Sequence, residues 1–357
     1  MKKTINVGNK IIGEGNPCFV IAEAGANWKI SPDNEINYKH ALKLIDIAAE
    51  SGADIVKFQI FSADKIYVKD AGCANYLGDE KSIYEIIKDI ELPYEWIPNL
   101  KKYCDQKEIM FFASPFDIEA VDILEKVGVE SYKIASYSIT DFPLLKHVAN
   151  KNKPIFMSTG ASTLEEVERA FNYIKKCGND QLILLQCTAK YPAPMTSINL
   201  RTIDTLKSKF GCLIGLSDHS RDPIIAPVGA VALGAKVIEK HYTTDNNHAG
   251  PDHKFAVLPL ELKKMVDSIR KMEDALGSNH KIVIEEEEEL RNFARHFIYS
   301  IKSIKKGELF TSENIDTLRC GKKEKGLDPI FYDNIVGKRA SCDILPQTPI
   351  NETVVEN

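Results

Sequence analysis

The sequence lacks the features that would tie the chain to a membrane or to a nucleic acid. Of its 357 residues 44% are apolar, yet no run approaches the 18 or more consecutive apolar residues of a membrane-spanning helix. Lysine and arginine number 46 against 51 aspartates and glutamates, a formal net charge of -5, so the basic excess typical of nucleic-acid partners is missing. The start, MKKTINVGNK, has no apolar stretch that would make a secretory signal. We expect a soluble globular protein.

Paired cysteines and glycine-rich phosphate loops are also missing. The 8 cysteines are scattered singly, without a CxxC motif or the spacing of a disulfide framework. This usage indicates reduced cysteines in a cytoplasmic protein. Neither GxGxxG nor GxxxxGK occurs, which disfavours a dinucleotide fold or a P-loop.

Eight short apolar runs alternate with helical patterns along the first three quarters of the chain. Both faces of each run are apolar or small, as in parallel strands that are buried on both sides. The runs are FVIAEAG, DIVKFQI, IMFFASP, SYKIASY, PIFMSTG, LILLQCT, LIGLSDH and VIEKHYT. Eight strand-helix units ending near Gly277 predict a (β/α)8 TIM barrel rather than an open doubly wound sheet.

The segments between the runs carry helix signals. In KHALKLIDIAAESGA the apolar residues Leu42 and Ile45 follow helical spacing, and Gly52 is suited to a C-terminal cap. Ser162 followed by Glu165 is typical of a capping box at the start of TLEEVERAFNYIKK.

A second domain is predicted after the barrel. Five consecutive glutamates at residues 285–289 indicate a solvated boundary or the start of a helix. The runs HFIYSIKSIKKGELF and NIVGKRASCDILPQTPI then predict a small β-rich domain. We place the barrel at residues 1–283 and the small domain at 284–357, and expect a domain this small to depend on the barrel or another subunit.

Polar residues close nearly every predicted strand, at the barrel end where active sites lie. They are Glu23; Lys57 and Gln59; Ser114; Lys133 and Ser136; Ser158 and Thr159; Gln186 and Thr188; Asp218 and His219; Lys240 and His241. Cys187 also lies there, but no base is evident beside it and we interpret it as a packing residue.

Two of these strand-end residues, Lys57 and Lys133, stand among apolar neighbours, where burial is costly without an anionic partner. Because Lys57 and Gln59 are two positions apart, they point to the same side of their strand. The pair of lysines predicts a small anionic substrate with a phosphate or carboxylate. The alternative is that each lysine pairs with an internal acid such as Glu23 or Asp218 and only stabilises the barrel.

His219 and His241 close consecutive strands and could share a divalent metal ion. A hydrogen-bonded structural role is the alternative for each of them. The run GPDHKF after the eighth strand adds Asp252 and His253 near the same mouth, which favours a site with acid-base capacity.

Taken together, these segments resemble the sialic acid synthases, which make N-acetylneuraminate, legionaminate or pseudaminate. The similarity covers almost the whole chain, and its motifs are specific as a set although each is ordinary alone. They are AEAGAN, VKFQ, SPF, YKIAS, STGAS, CTAKYPAP, GLSDHS, and EKHYT followed by GPDHKF.

The resemblance implies a barrel followed by an antifreeze-like (SAF) domain, exchanged between the subunits of a homodimer. The segment KKGELFTSENIDTLRCGK matches that domain. Arg319 stands where the family has an arginine that reaches the partner's active site and holds the acyl-amino group of the sugar.

The resemblance also implies a reaction and roles for the strand-end residues. Phosphoenolpyruvate would condense with an N-acetylmannosamine-type amino sugar and phosphate would be released. His219 and His241 would hold Mn2+ or Mg2+. Phosphoenolpyruvate would be bound by Lys57, Lys133, Ser136 and Ser158, and the open-chain sugar by Glu23, Gln59, Tyr191 and Asp252. Ser114 would also bind substrate, and the catalytic residues would be Glu23, Lys57, Lys133 and Asp252.

Three positions depart from the family pattern. Ser138 stands where an acidic residue is usual, Trp28 where histidine is common, and Cys320 where proline often follows the arginine. Ser138 matters most, because a hydroxyl cannot act as a carboxylate base, so that Glu23 or Asp252 takes this role or the sugar differs. The identity of the acceptor therefore stays open. A phosphoenolpyruvate-dependent synthase with a different acceptor and a non-catalytic sugar-binding relative are the alternatives.

Overall fold

The computed structural model describes residues 3–73 and 82–356. They form two compact units, Met1–Gly277 and Ser278–Asn357. The sequence placed the boundary six residues later, just before the run of glutamates. No helix within the described ranges is long and apolar enough to cross a lipid bilayer.

The first unit begins with an antiparallel hairpin of two strands, β1 (Thr4–Val7) and β2 (Lys10–Gly13), which the sequence analysis did not predict. Its apolar side chains Ile5, Val7 and Ile12 are buried against the lower interior of the barrel. The hairpin therefore closes the end of the barrel opposite the strand ends that carry polar residues.

Eight parallel strands follow, and they coincide with the eight predicted runs. They are β3 (Phe19–Gly25), β4 (Ile55–Ile60), β5 (Met110–Pro115), β6 (Tyr132–Ile134), β7 (Ile155–Ser158), β8 (Leu182–Cys187), β9 (Leu213–Asp218) and β10 (Val237–His241). The sheet order is β5-β4-β3-β10-β9-β8-β7-β6. Since β5 and β6 also contact each other, the barrel is nearly closed, and the predicted TIM-barrel fold is confirmed.

The helices of the first unit alternate with these strands. They are α1 (Asn34–Glu50), α2 (Ala63–Ile66), α3 (Ile83–Asp89), α4 (Ile97–Gln106), α5 (Ile118–Lys126), α6 (Phe142–Ala149), α7 (Leu164–Lys176), α8 (Thr202–Phe210), α9 (Ile225–Ala232) and α10 (Pro259–Leu276). Short 3-10 helices occur at Tyr94–Trp96, Ser136–Thr140 and Met195–Ser197. The predicted capping box before α7 is wrong by one residue: it is formed by Thr163 and Glu166, whereas the sequence analysis predicted Ser162 and Glu165.

The interior of the barrel is layered. Its lower half is apolar and includes Phe19, Phe112, Phe156 and Leu185. Nearer the carboxyl ends, the inward positions of the same strands become charged or polar, as with Glu23 and Lys57. The layering follows from the period of two along a strand, and it places the buried charges on one end of a packed core.

The second unit contains α11 (Glu285–Ala294), β11 (His296–Ser300), β12 (Ile315–Arg319) and α12 (Tyr332–Ile335), with 3-10 helices at Pro329–Phe331 and Glu352–Val354. The glutamate run starts α11 and is exposed, as the sequence predicted. β11 and β12 pair in antiparallel fashion around a core that includes Ile298, Phe310 and Ile344. The second predicted run, NIVGKRASCDILPQTPI, contributes isolated bridges rather than a named strand.

Candidate active site

A cavity of about 350 Å³ opens at the carboxyl ends of the barrel strands. This volume suits a small-molecule ligand. All the residues that the sequence analysis assigned to catalysis, substrate or metal line this cavity, except Arg319. Arg319 ends β12 in the second unit.

Two lysines and two glutamates form a buried charged group at the base of the cavity. Lys57 Nζ lies 3.0 Å from Glu23 Oε2 and 3.6 Å from Glu239 Oε1, and Lys133 Nζ lies 3.7 Å from Glu239 Oε1. All four side chains are at most 4% exposed. The pairing of Lys57 with Glu23 matches the structural alternative raised from the sequence, yet both groups also face the cavity, so the lysine can serve both purposes.

The charges in this group set one another's protonation. Burial raises the pKa of Glu23 to about 7, with Lys57 opposing the shift and Glu239 adding to it. Burial alone would raise the pKa of Glu239, but Lys133 and Lys57 hold it below its usual range. Burial lowers the pKa of Lys133. Burial also acts to lower the pKa of Lys57, but the neighbouring carboxylates of Glu23 and Glu239 outweigh it and raise that pKa. An anion that enters the cavity therefore meets two lysines that are paired with glutamates, and one of these glutamates, Glu23, can take up a proton near neutral pH.

The sequence analysis did not identify Glu239 and Ser217 as residues of the site. Ser217 Oγ donates to Glu239 Oε1 at 2.9 Å, and both residues line the cavity. Each stands two positions before one of the histidines, so strand alternation could have identified them from His219 and His241. Conversely Asp218 and Lys240, which the sequence grouped with the strand-end residues, do not line the cavity and pair with each other at 2.5 Å.

Hydroxyl groups surround the lysines. Lys57 Nζ donates to Ser114 Oγ at 3.1 Å, and Lys133 Nζ donates to Ser158 Oγ at 2.7 Å. Ser136 Oγ accepts from Gly160 N at 3.1 Å. A Cβ on Gly160 would lie 2.9 Å from Ser136 Oγ, so only glycine allows this close approach of the backbone. Two cations with adjacent hydroxyl and amide donors make a suitable binding site for phosphate and carboxylate groups.

The two histidines lie side by side with their ring centroids 5.4 Å apart. His219 Nδ1 donates to Thr188 O at 2.8 Å, which leaves the lone pair of the neutral ring on Nε2. His241 Nδ1 is buried, and among the described residues it has no hydrogen-bond partner. Tyr191 packs against His219 with a centroid separation of 4.3 Å.

The histidine pair fits a divalent cation that has open coordination positions. Neutral imidazole nitrogens are common ligands of such ions, and the unpartnered nitrogen of His241 is the kind of donor that a metal would satisfy. Over the residues that the structure describes, no group of three or more His, Cys, Asp or Glu side chains could hold a metal by itself. A cation bound here would therefore take its remaining ligands from substrate and water.

Asp252 and Gln59 add polar groups near these histidines and Glu23. Asp252 Oδ2 accepts from Ala26 N at 3.4 Å and lies 3.7 Å from His241 Nδ1. Burial raises the pKa of Asp252. Gly25 has a φ of 53°, and a Cβ there would lie 2.8 Å from Asp252 Oδ2, so glycine admits the carboxylate to the site. Gln59 Nε2 donates to Glu23 Oε1 at 2.8 Å.

The remaining walls of the cavity differ in character. Ser138 lines it from the 3-10 helix after β6, together with Asp141, whose carboxylate also caps α6. Cys187 Sγ lies 3.8 Å from His219 Nδ1, a neighbour that the sequence analysis did not predict. Because this nitrogen donates its proton to Thr188 O, the imidazole does not present its basic nitrogen to the sulfur. An apolar wall is made by Phe61, Ile66, Ile87, Ile90 and Phe116.

Comparisons with known proteins give consistent matches over both units. The family model described as the NeuB family matches residues 44–281, and the SAF domain model matches residues 297–353. The spore coat polysaccharide biosynthesis protein SpsE of Bacillus subtilis is 43% identical over 96% of this chain and 95% of its own length. N,N'-diacetyllegionaminic acid synthase of Campylobacter jejuni is 39% identical over 90% of this chain and 96% of its own.

Solved structures agree with the sequence matches. The crystal structure of N-acetylneuraminic acid (sialic acid) synthetase from Leptospira borgpetersenii, in complex with citrate, is 35% identical with a TM-score of 0.72. The match covers 82% of this chain and 96% of that one.

Proposed function

Since the chain belongs to the NeuB family, we propose that it condenses phosphoenolpyruvate with an N-acylated amino sugar to give a nonulosonic acid and phosphate. The observation that carries this proposal is the buried group of two lysines and two glutamates beside a pair of histidines. An anion site adjoining a potential metal site is what the reaction requires, because one substrate is anionic and the other is an aldehyde.

Phosphoenolpyruvate is assigned to the lysine side of the cavity. Lys57 and Lys133 neutralise its phosphate and carboxylate, and Ser114, Ser136 and Ser158 donate hydrogen bonds to the same oxygens. These groups are held by their own contacts before substrate arrives, so they contribute by positioning and electrostatic stabilisation.

The amino sugar in its open-chain form is assigned to Gln59, Tyr191, Asp252 and Glu23. A divalent cation, Mn2+ or Mg2+, held by His219 and His241 would supply Lewis acidity at the aldehyde oxygen. The methylene carbon of phosphoenolpyruvate forms the new carbon-carbon bond to the aldehyde carbon. Water adds to the cationic C2, and the C2-oxygen bond to phosphate then breaks to leave the 2-keto acid.

A carboxylate near this water is needed to accept its proton. With Ser138 in place of the usual acid, the candidates are Glu23 and Asp252, whose pKa values are both raised by burial. Glu23 has a pKa near the working range of a general base. The exact amino sugar stays open, because the acyl and 6-deoxy groups would be recognised by the walls around Ser138 and the apolar residues.

The function is tested by phosphate release. The purified protein with phosphoenolpyruvate and Mn2+ should release phosphate with N-acetylmannosamine, 2,4-diacetamido-2,4,6-trideoxymannose or 2,4-diacetamido-2,4,6-trideoxyaltrose. No release with any of them would contradict the proposal. Activity that survives in the double variant His219→Ala with His241→Ala, or in excess chelator, would remove the metal assignment.

Two alternatives have distinct outcomes in the same assay. A synthase with a different acceptor would release phosphate only with a phosphorylated sugar. A non-catalytic relative would bind sugar or phosphoenolpyruvate in calorimetry without turnover. The buried lysines disfavour the second alternative, because unused buried charges are costly to retain.

We further propose that the active protein is a homodimer in which Arg319 of one subunit completes the cavity of the other. The second unit exposes large apolar side chains, Ile330, Phe331 and Leu345, that an association would cover. Arg319→Ala and His241→Ala variants should each lose activity, and mixing them after dissociation should restore part of it, since one cavity in each mixed dimer is then intact. No recovery on mixing would contradict the exchange.

A further inference from the structure

Asp252 is carried by a loop that extends the last barrel strand. After β10 the chain leaves the barrel and returns, and the base of the loop is closed by two backbone hydrogen bonds. Thr243 N donates to Val257 O at 2.9 Å, and Val257 N donates to His241 O at 2.9 Å. Asn246 Nδ2 donates across the loop to His253 O at 2.6 Å and to Ala256 O at 2.8 Å. The loop is therefore internally braced.

His253 follows Asp252 directly and is completely buried. Its Nδ1 lies 2.7 Å from Thr243 Oγ1 and its Nε2 lies 3.3 Å from Lys29 O. Since a carbonyl oxygen can only accept, Nε2 carries the proton and Nδ1 accepts from the hydroxyl of Thr243. His253 is thus a neutral imidazole of fixed tautomer, bonded at both nitrogens.

The contact of His253 Nε2 with Lys29 O connects the loop to the turn that also holds Asp252, whereas the contact with Thr243 lies within the loop. Lys29 N donates to Ala26 O at 3.1 Å, so Lys29 and Ala26 belong to one hydrogen-bonded turn after β3. Asp252 accepts from Ala26 N at 3.4 Å, a long and weak contact for a buried carboxylate. That single contact cannot fix the carboxylate well. His253 supplies the second point of attachment to the same turn.

The space around His253 leaves little freedom for its ring. A Cβ on Gly250 would lie 2.8 Å from His253 Cδ2, so glycine at position 250 lets the loop close over the ring. The ring of His248 packs edge-on against it at a centroid distance of 5.3 Å. Movement of the ring would therefore move the loop.

We propose that His253 is a positioning residue that holds the Asp252 carboxylate at the sugar side of the cavity by bridging Thr243 and Lys29. This inference rests on the proposed function, which places Asp252 at the amino sugar. His253 itself is not a catalytic residue, because its two nitrogens are both engaged outside the cavity.

The kinetic test compares His253→Ala with His253→Gln, whose amide can still donate to Lys29 O. His253→Ala should lower kcat/KM for the sugar roughly 10- to 100-fold, the cost typical of a misplaced reacting group. The KM for phosphoenolpyruvate should change less than about twofold, and His253→Gln should recover much of the loss. Thr244→Val is the matched control, because Thr244 Oγ1 contacts His40 and His248 but not His253.

A double-mutant comparison separates positioning from general damage to the fold. If His253 acts through Asp252, the change His253→Ala should have little further effect in an Asp252→Asn background. An equal loss in both backgrounds, or an equal rise in the KM of phosphoenolpyruvate, would overturn the proposal. So would wild-type kinetics in His253→Ala.

A crystal structure of His253→Ala tests the placement without activity. Asp252 should move away from Ala26 N while the lysine group at the base of the cavity stays in place. An unmoved Asp252 refutes the positioning role whether or not the protein turns over. A wild-type protein that releases no phosphate with any sugar contradicts only the proposed function.

Discussion

Replacing Glu239 by glutamine tests whether the two lysines of the cavity are charged and share this carboxylate. The change keeps the size of the side chain and a hydrogen bond to Ser217, but it removes the negative charge beside Lys57 and Lys133. At an effective dielectric constant of about 20, each of the contacts at 3.6 and 3.7 Å is worth roughly 4 to 5 kcal/mol before desolvation is counted. Removing one partner of a buried pair costs about 3 to 5 kcal/mol net.

We therefore expect Glu239→Gln to lower the free energy of unfolding by about 3 kcal/mol or more, measured by urea denaturation of the intact chain without phosphate. The matched control is Glu168→Gln. Glu168 lies 2.9 Å from Lys209 Nζ with the two side chains 40% and 41% exposed, so its loss should cost no more than about 1 kcal/mol.

Phosphate provides the second measurement. An anion that binds the two lysines replaces the missing carboxylate, so phosphate or phosphoenolpyruvate should stabilise Glu239→Gln more than the wild type at equal concentration. If Glu239→Gln loses no more stability than Glu168→Gln, the buried carboxylate does not neutralise these lysines. If phosphate stabilises both proteins equally, the lysines are not where the anion binds.

Three further changes probe other parts of the barrel. Ser138→Glu should alter the relative kcat/KM among the sugars of the panel about fivefold or more while leaving the KM of phosphoenolpyruvate within about threefold. The reason is that Ser138 lines the cavity, whereas the two lysines bond to Ser114 and Ser158; equal changes for both substrates would refute this. Burial is the main cause that lowers the pKa of His40 from 6.5 to about 4, and His248, His253 and Lys43 contribute to the same shift. The unfolded chain therefore binds the proton more strongly, and stability falls as the pH drops from about 6.5 towards 4. His40→Gln should reduce the difference in the free energy of unfolding between pH 7 and pH 4.5 by at most about 3 kcal/mol, as measured by denaturation at the two pH values. An unchanged difference would exclude His40 as the source of the loss. Asp218→Asn should cost about 3 kcal/mol because it leaves the buried Lys240 without its carboxylate, and combining it with Lys240→Met should recover part of that loss in the same assay.

The barrel was predictable because its strands are apolar and buried on both faces and alternate with segments of helical pattern. The eight apolar runs mark the strands to within a residue or two, except that β6 ends at Ile134 where the sequence suggested a longer run. The hairpin of β1 and β2 was not predictable, because each strand has only four residues and their burial depends on the closed barrel.

The candidate site was predictable where polar residues stand out against apolar strands, as Lys57 and Lys133 do. It was harder to predict in β9 and β10, where polar residues occupy both faces. Lys240 points away from the cavity and Glu239 into it, and only the alternation of side chains relative to His241 distinguishes the two positions. The contact of Cys187 with His219 joins two strands and has no signal in the sequence.

The position of β10 in the sheet has a consequence for how the protein is synthesised. β10 is the last barrel strand to leave the ribosome, yet it lies between β3, which emerges first, and β9. A nascent chain that stops before Val237 has open edges on both of these strands, and its Lys133 still lacks the carboxylate of Glu239. The five residues of β10 therefore close the barrel and complete the charge balance of the cavity in the same step. Translation that pauses within α9 would leave a chain prone to pair its free edges with those of a neighbour.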